Sequence, residues 1–237
     1  MPAEWQTGLV MLYDCRTVAE RDWGIHAAID GISRGDLVVL PTDTVYGIAA
    51  DAFKPWAVTA LLNAKGRGRH MPPPVLVGSR SVLDGLVYQL RQEARDLVEA
   101  FWPGALTIVV EQAPTLQWDL GDTYGTVAVR MPLHPVALEV LAHTGPLAVS
   151  SANRTGLPPA VTAAEAREQL GYAVTTYLEA GPCQDPIPST IVDCTGPVPR
   201  VLRDGAIPFE KLREVVPDIE PFVMAQPELP GLPDVEA

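Results

Sequence analysis

The chain has 237 residues, 47% of them hydrophobic, and a formal net charge of -12. That length and hydrophobic share can bury one full core, so a small helper peptide is excluded and one domain, or a domain plus an appendage, is expected. The acidic balance argues against a protein that grips nucleic acid mainly through clustered Lys and Arg.

Cys15, Cys183 and Cys194 form no CxxC pair, and no basic and apolar leader precedes them. No apolar run approaches the roughly 20 residues that a bilayer span needs. The expectation is a soluble cytoplasmic protein without structural disulfides or membrane attachment.

In chain order, Ile25, Ala28, Ile29 and Ile32 recur at helical spacing, and Gly35 closes that helix. The apolar run Leu37-Val38-Val39-Leu40 then reads as a strand covered on both faces, which Pro41 ends. The following loop, Pro41 to Gly47, crowds the hydroxyls of Thr42, Thr44 and Tyr46 at a strand's carboxyl end, where open α/β sheets place ligands. Read locally, the same residues also suit an Asx-type turn in which Thr42 and Asp43 cap the next segment. Val58, Leu61 and Leu62 mark a short helix after Pro55. Strands are predicted over 74–77, 106–110, 126–131, 147–150, 175–178, 190–192 and 200–202, and helices over 93–101, 136–143 and 163–170. Interleaved helices and strands, with several late strands in direct succession, predict an α/β fold on a mixed sheet. From Pro217 the chain has five acidic residues, five prolines and no Lys or Arg. That composition predicts a domain over residues 1–216 and an acidic, Pro-rich, extended tail over 217–237.

Polar residues gather at the breaks between elements. Lys65, Arg67 and Arg69, spaced by glycines, lie where a helix gives way to a loop. Cations are favoured at a helix C-terminus in any protein, yet Lys as a point charge and Arg as a planar fork are also the donors that phosphates need. Ser150-Ser151-Ala152-Asn153 follows the 147–150 strand and reads either as a turn or as a second set of donors facing the Leu37 loop, if those strands are neighbours. Thr126 and Arg130 bound one strand; Ser189 opens another, and Arg203 ends a third before Gly205. Arginines at strand ends can be solvated, or can clamp anions. There is no GxxxxGK[ST] loop, no complete GxGxxG, no HExxH, no cysteine zinc cage and no GxSxG elbow.

Seven segments taken together resemble the ordered motifs of the YrdC/Sua5 family. They are Pro41 to Gly47, Lys65-Gly66-Arg67, Phe101 to Thr107, Val129 to Pro132, Ser151-Ala152-Asn153, Ser189 to Val192, and Leu202 to Gly205. The resemblance covers roughly Arg34 to Val216 and implies a YrdC-like twisted mixed sheet with helices and a large concave cavity. It also implies a nucleotidyltransferase, threonylcarbamoyl-AMP synthase, which joins L-threonine, bicarbonate and ATP as the first step of t6A37 tRNA modification. A downstream tRNA-modifying transferase complex would take the product, and Mg2+ would accompany ATP, held largely by phosphate oxygens.

By that resemblance Thr44, Tyr46 and Arg130 would bind threonine. Lys65, Arg67, Thr126, Ser151, Asn153, Ser189 and Arg203 would face ATP, with Lys65 and Arg67 offsetting charge on the phosphates. The chain departs from the family pattern at four points. Leu76 stands where a histidine would meet threonine, and Pro159 lies where a serine hydroxyl is usual. Asp43 replaces a commoner Glu, and Asp204 a commoner Pro. No second domain is expected from the Pro-rich tail, so the short single-domain form is the nearer likeness.

Two other readings compete. A non-catalytic module of the same fold could recognise structured RNA through a basic rim of Lys65, Arg67, Arg69 and Arg80, with weak RNA contact. Carbamoyl transfer to another acceptor, as a domain of a larger enzyme, is disfavoured by the short chain and the lack of zinc-finger cysteines.

Overall fold

The computed structural model describes residues 10–223, and the chain folds as an α/β unit. Its first half contains β1 (Met11–Asp14), α1 (Val18–Arg34), β2 (Val38–Leu40), β3 (Gly47–Asp51), α2 (Pro55–Lys65), β4 (Val75–Leu76), α3 (Arg80–Leu86) and α4 (Gln92–Phe101). The second half adds β5 (Leu106–Glu111), β6 (Thr126–Arg130), α5 (Pro135–Thr144), β7 (Leu147–Ser151), α6 (Ala163–Leu170), β8 (Thr176–Glu179), β9 (Thr190–Asp193), β10 (Arg200–Arg203) and α7 (Phe209–Val215). The described strands form one sheet in the order β1-β8-β2-β3-β7-β4-β6-β5-β9-β10. Parallel pairs (β1 with β8, β4 with β6) and antiparallel pairs (β3 with β7, β5 with β6) mix, as expected.

Side-chain alternation decides what covers each half of this sheet. In β2, Val38 and Leu40 pack with α1 and α5, whereas Val39 packs on the opposite face with α2 and α6. Helices therefore cover both faces at that end. In the other half, Leu106, Ile108 and Val110 of β5, Val127 and Val129 of β6, Val192 of β9 and Val201 of β10 join Leu83, Leu97 and Leu212 of α3, α4 and α7. The alternate residues, Thr107, Val109, Ala128, Arg130 and Ile191, instead line a cavity of about 390 Å³. The cavity exists because helices cover only one face of the sheet there.

Three expectations are corrected. The 147–150 strand does not neighbour the Leu37 strand, because β3 lies between β2 and β7. Residues 47–51, small and weakly patterned, had been assigned no strand, yet they pair along their whole length with β7. The loop from Pro41 to Tyr46 is thus a connection between antiparallel β2 and β3. The packed domain also continues past Val216. Ile219 is buried in the core, and the Glu220 amide and carbonyl bond Pro199 and Val201 at the free edge of β10. One apolar side chain and one edge pairing outweigh the tail-like composition. Residues 224–237 of the expected tail lie outside the described residues.

Candidate active site

Each wall of the cavity comes from a strand end or the loop beside it. The β2–β3 connection supplies Thr42, Thr44, Val45, Tyr46 and Gly47, and β7 supplies Val149, Ser150 and Ser151. Thr42 holds its own loop: its hydroxyl donates to the Val45 carbonyl at 2.7 Å and accepts from the Thr44 amide at 3.1 Å. The turn expected at Thr42 is present, and Thr44 lines the wall of the cavity.

Arg130, at the end of β6, is only 6% exposed. Its Nε donates to the Gly104 carbonyl at 3.0 Å, Nη1 to Thr44 Oγ1 at 2.9 Å and Nη2 to Asp43 Oδ1 at 2.6 Å. The Leu133 amide donates to the same Asp43 oxygen at 2.9 Å. Three of the five guanidinium N–H groups are engaged, which leaves one on each terminal nitrogen for a ligand carboxylate. Burial lowers the Arg130 pKa while the Asp43 carboxylate opposes that shift. Asp43, read from sequence as a turn former, is the counter-ion of the site.

Arg67 enters from the end of α2. Gly66 adopts the left-handed conformation (φ 63°), and the Arg67 amide bonds back to Leu62, so the chain reverses and Arg67 lines the cavity. Its Nη1 donates to Ser150 Oγ at 3.0 Å, and its buried Nε has no protein partner. Arg203 lies across the cavity. Its Nε and Nη2 donate to the Ser189 carbonyl at 3.0 and 2.7 Å, and Nη2 also reaches Ser189 Oγ at 3.0 Å.

Arg203 owes its aim to a bulge. In β10, Val201 opposes Val192 and Arg203 opposes the next residue of β9, Ile191, so Leu202 is extra. Unbroken alternation would turn Arg203 toward the core face that Val201 occupies; the bulge sends both Leu202 and Arg203 into the cavity. Among the described residues neither Arg67 nor Arg203 forms an ion pair, and Arg130 pairs with Asp43. Burial lowers the pKa of both, and at Arg203 the charges of Arg130 and Arg67 add to the effect. Two cations without a carboxylate partner in one concavity give it a positive field that attracts anions.

Not every expected site residue reaches the cavity. Lys65 is only 3% exposed and lies beneath the β7 loop, where its ammonium donates to the carbonyls of Ser151 and Asn153, the latter at 2.7 Å, and to Asn153 Oδ1 at 3.3 Å. Asn153 Nδ2 in turn donates to the carbonyls of Arg154 at 2.9 Å and Leu157 at 2.7 Å. Neither side chain lines the cavity. Both brace the loop that carries Ser151 and Pro159, and the ammonium's three N–H groups are spent. Thr126 is likewise absent from the lining, and its hydroxyl donates to the Thr123 carbonyl at 2.8 Å. It shares a strand face with Ala128 and Arg130 but sits at the far end of β6. Tyr46 lines the wall, although its hydroxyl donates to Glu179 and the Gly181 carbonyl and is unavailable to threonine in this arrangement. Leu76 and Pro159, the apolar departures, both line the cavity.

Burial pushes the Lys65 amine down to about 8, and the nearby Arg67 charge adds to the shift. Between that value and the ordinary lysine range the unfolded chain holds the proton more tightly, so this group's contribution to stability should rise with pH. In urea unfolding, the stability of wild type relative to Lys65→Met is expected to increase from pH 7.5 to pH 10. A decrease would mean that the three carbonyl bonds outweigh desolvation.

Sequence reasoning missed Thr107 and Ser150 as individual site residues. The signal for Thr107 was a lone hydroxyl within Leu106-Thr107-Ile108-Val109-Val110, on the face opposite the core.

The family profile Sua5/YciO/YrdC, described as telomere recombination, matches residues 30–205. The chain belongs to the Sua5/YciO/YrdC family. A Mycobacterium tuberculosis relative, provisionally named a threonylcarbamoyl-AMP synthase, is 59% identical over 204 residues, 86% of this chain and 94% of that protein. The threonylcarbamoyl-AMP synthase of Pyrococcus abyssi is 34% identical over 84% of this chain, which spans only 58% of that longer protein. The crystal structure of P. abyssi Sua5 complexed with L-threonine superposes with a TM-score of 0.84 at 32% identity, covering 90% of this chain and 62% of that one. Escherichia coli YciO, 19% identical with a TM-score of 0.74, shares the fold.

Proposed function

We propose that this Sua5/YciO/YrdC member is an L-threonylcarbamoyladenylate synthase, forming threonylcarbamoyl-AMP and pyrophosphate from L-threonine, bicarbonate and ATP. The observation that carries the reading is the convergence of Arg67, Arg130 and Arg203 on one cavity whose volume suits a ligand of nucleotide size. The L-threonine in the P. abyssi Sua5 complex supports the choice of amino acid.

In this reading, the two free N–H groups of Arg130 take the threonine carboxylate beside Thr44. The threonine amine attacks bicarbonate carbon and water leaves, giving a carbamate. A carbamate oxygen then attacks the α-phosphorus, the bond to the bridging oxygen breaks, and pyrophosphate departs. Arg67 and Arg203 flank one concavity where fixed positive charge can offset the charge that grows on the leaving group. Among the described residues the cavity lining holds no carboxylate, imidazole or amine, so positioning carries the chemistry in this reading.

Among the described residues no group of three or more His, Cys, Asp or Glu could hold a metal ion. The cavity's hydroxyls and arginines fit Mg2+ only as a companion of the triphosphate, bound by phosphate oxygens and water. The product, a reactive mixed anhydride, would pass to a downstream transferase complex that modifies tRNA. Among the described residues no helix is long and apolar enough to cross a membrane.

The RNA-module reading loses its basic rim. Lys65 is buried, Arg67 faces the cavity, Arg69 pairs with Asp119 and Asp122, and Arg80 donates to the Glu99 and Trp102 carbonyls.

The test is pyrophosphate release from ATP with threonine and bicarbonate omitted in turn; release that persists without either would sink the synthase reading. Arg67→Ala removes a charge-assisted hydrogen bond, worth about 1.5–3 kcal/mol, so ATP should bind at least about tenfold more weakly. An unchanged ATP titration would remove Arg67 from the phosphate site.

A further inference from the structure

Arg203 has no carboxylate to hold it, and both its Nε and Nη2 point at a single residue, Ser189. The Ser189 hydroxyl is itself held: Thr107 Oγ1 lies 2.8 Å from Ser189 Oγ, and the two residues are 2% and 6% exposed. β5, the residue just before β9, and β10 thus contribute one residue each to a chain of contacts along the cavity floor. In the parallel pairing of β5 with β9, Thr107 stands opposite Ile191, one side-chain step along the cavity face from Ser189. Ile191 is also the residue opposite Arg203 across the bulge. The next residue of β5 on that face, Val109, is apolar and Glu111 lies at the strand's far end, so Thr107 supplies the one hydroxyl that this strand offers Ser189.

We infer that Thr107 is a positioning residue for the nucleotide: through the Ser189 hydroxyl it fixes the guanidinium of Arg203 against the triphosphate, without touching substrate itself. The role rests on the synthase reading above. A hydroxyl that accepts from Arg203 needs its own proton directed elsewhere, and Thr107 Oγ1 is the acceptor at the right distance. Without Thr107, the Ser189 hydroxyl is free to rotate, and Arg203 keeps only its bonds to the Ser189 carbonyl. Its plane is then no longer fixed from two sides. The threonine clamp is built from other residues, Arg130, Thr44 and Asp43, so the two substrates should respond differently.

The test compares Thr107→Val, which keeps the shape and removes the hydroxyl, with Thr107→Ser, which restores it. Loss of one neutral hydrogen bond predicts that the KM for ATP in Thr107→Val rises about threefold to tenfold, while the KM for threonine stays near wild type. Thr107→Ser should recover most of the change. In an Arg203→Ala background, Thr107→Val should add nothing to the ATP defect. A uniform change in both KM values, or a full additional loss on top of Arg203→Ala, would show a packing role and overturn the inference.

Should Thr107→Val fail to fold, Ser189→Ala breaks the same chain just before β9. It must then raise the ATP KM by at least as much as expected for Thr107→Val, and a wild-type value would overturn the inference. Calorimetric titration of wild type with ATP separates the two levels of the argument. Absence of ATP binding to wild type defeats the synthase reading, whereas tight binding that Thr107→Val leaves unchanged defeats only the role of Thr107.

Discussion

Arg130→Ala is expected to cost about 3–5 kcal/mol of stability and to abolish detectable threonine binding, because it removes one partner of a buried ion pair and leaves the other uncompensated. The Asp43 carboxylate would keep only the Leu133 amide, and Thr44 Oγ1 and the Gly104 carbonyl would each lose a donor. Two measurements check this result. Urea unfolding at neutral pH should show the loss of stability. Calorimetric titration with threonine should be flat. Arg130→Lys should not restore binding, since one ammonium cannot meet Gly104, Thr44 and Asp43 and also present a planar fork. A variant with wild-type stability and threonine affinity would show that the clamp is neither structural nor part of the site.

The second large effect is expected at Gly205, directly after β10 and Asp204. A Cβ there would lie 2.4 Å from the Thr190 amide nitrogen, and 2.5 Å from both the Pro188 oxygen and the Ser189 carbonyl carbon. All three are backbone atoms, so no side chain can swing aside. Gly205→Ala must push β9 away from the end of β10, at about 1–3 kcal/mol or more by analogy with overpacked cores. The displaced segment carries the Ser189 carbonyl that holds Arg203, and the bonds that join Thr190 Oγ1 to Ile207. Thermal unfolding should therefore show a lower Tm, and the ATP KM should rise more than the threonine KM. Wild-type behaviour in both assays would mean that the strand end yields freely.

The sequence was most legible where local chemistry and tertiary packing agree. The helix over 163–170 was predicted with the bounds it has, and Thr162 caps it by accepting from the Glu165 amide at 3.1 Å. β2 and the strands from β4 to β10 were found within a residue or two because their runs of branched and apolar residues stand out, whereas β1 was not predicted. β3 was missed because Gly47, Ala49 and Ala50 carry little pattern, and their strand conformation is imposed by β2 and β7 on either side.

The candidate site shows the same division. Thr44, Arg67, Arg130, Ser151, Ser189 and Arg203 were named from sequence and meet at one cavity. Lys65 and Asn153 were also named as ATP contacts, yet they hold the loop from behind. Nothing local distinguishes a lysine that will meet phosphate from one whose ammonium will be saturated by carbonyls 86 and 88 residues away. Thr126 stands outside the cavity lining for a simpler reason: alternation fixes a strand face but not how far along the strand the cavity reaches. Thr107 escaped notice because its partner lies 82 residues downstream.

The bulge in β10 has a consequence for how this segment can change over time. What matters for Arg203 is its place opposite Ile191, more than the chemistry of Leu202 itself. Another apolar side chain could replace Leu202 with little consequence for the arginine's aim. Losing that residue altogether would close the bulge and set Arg203 directly after Val201, still opposite Ile191 and, by ordinary alternation, still on the cavity face. Straightening the strand with Leu202 kept would instead turn the cation toward Val201 and the core. For this strand the extra residue and the bulge must come and go together, so exchange and deletion at 202 should both spare the arginine's aim, whereas a change that flattens the bulge at constant length should not.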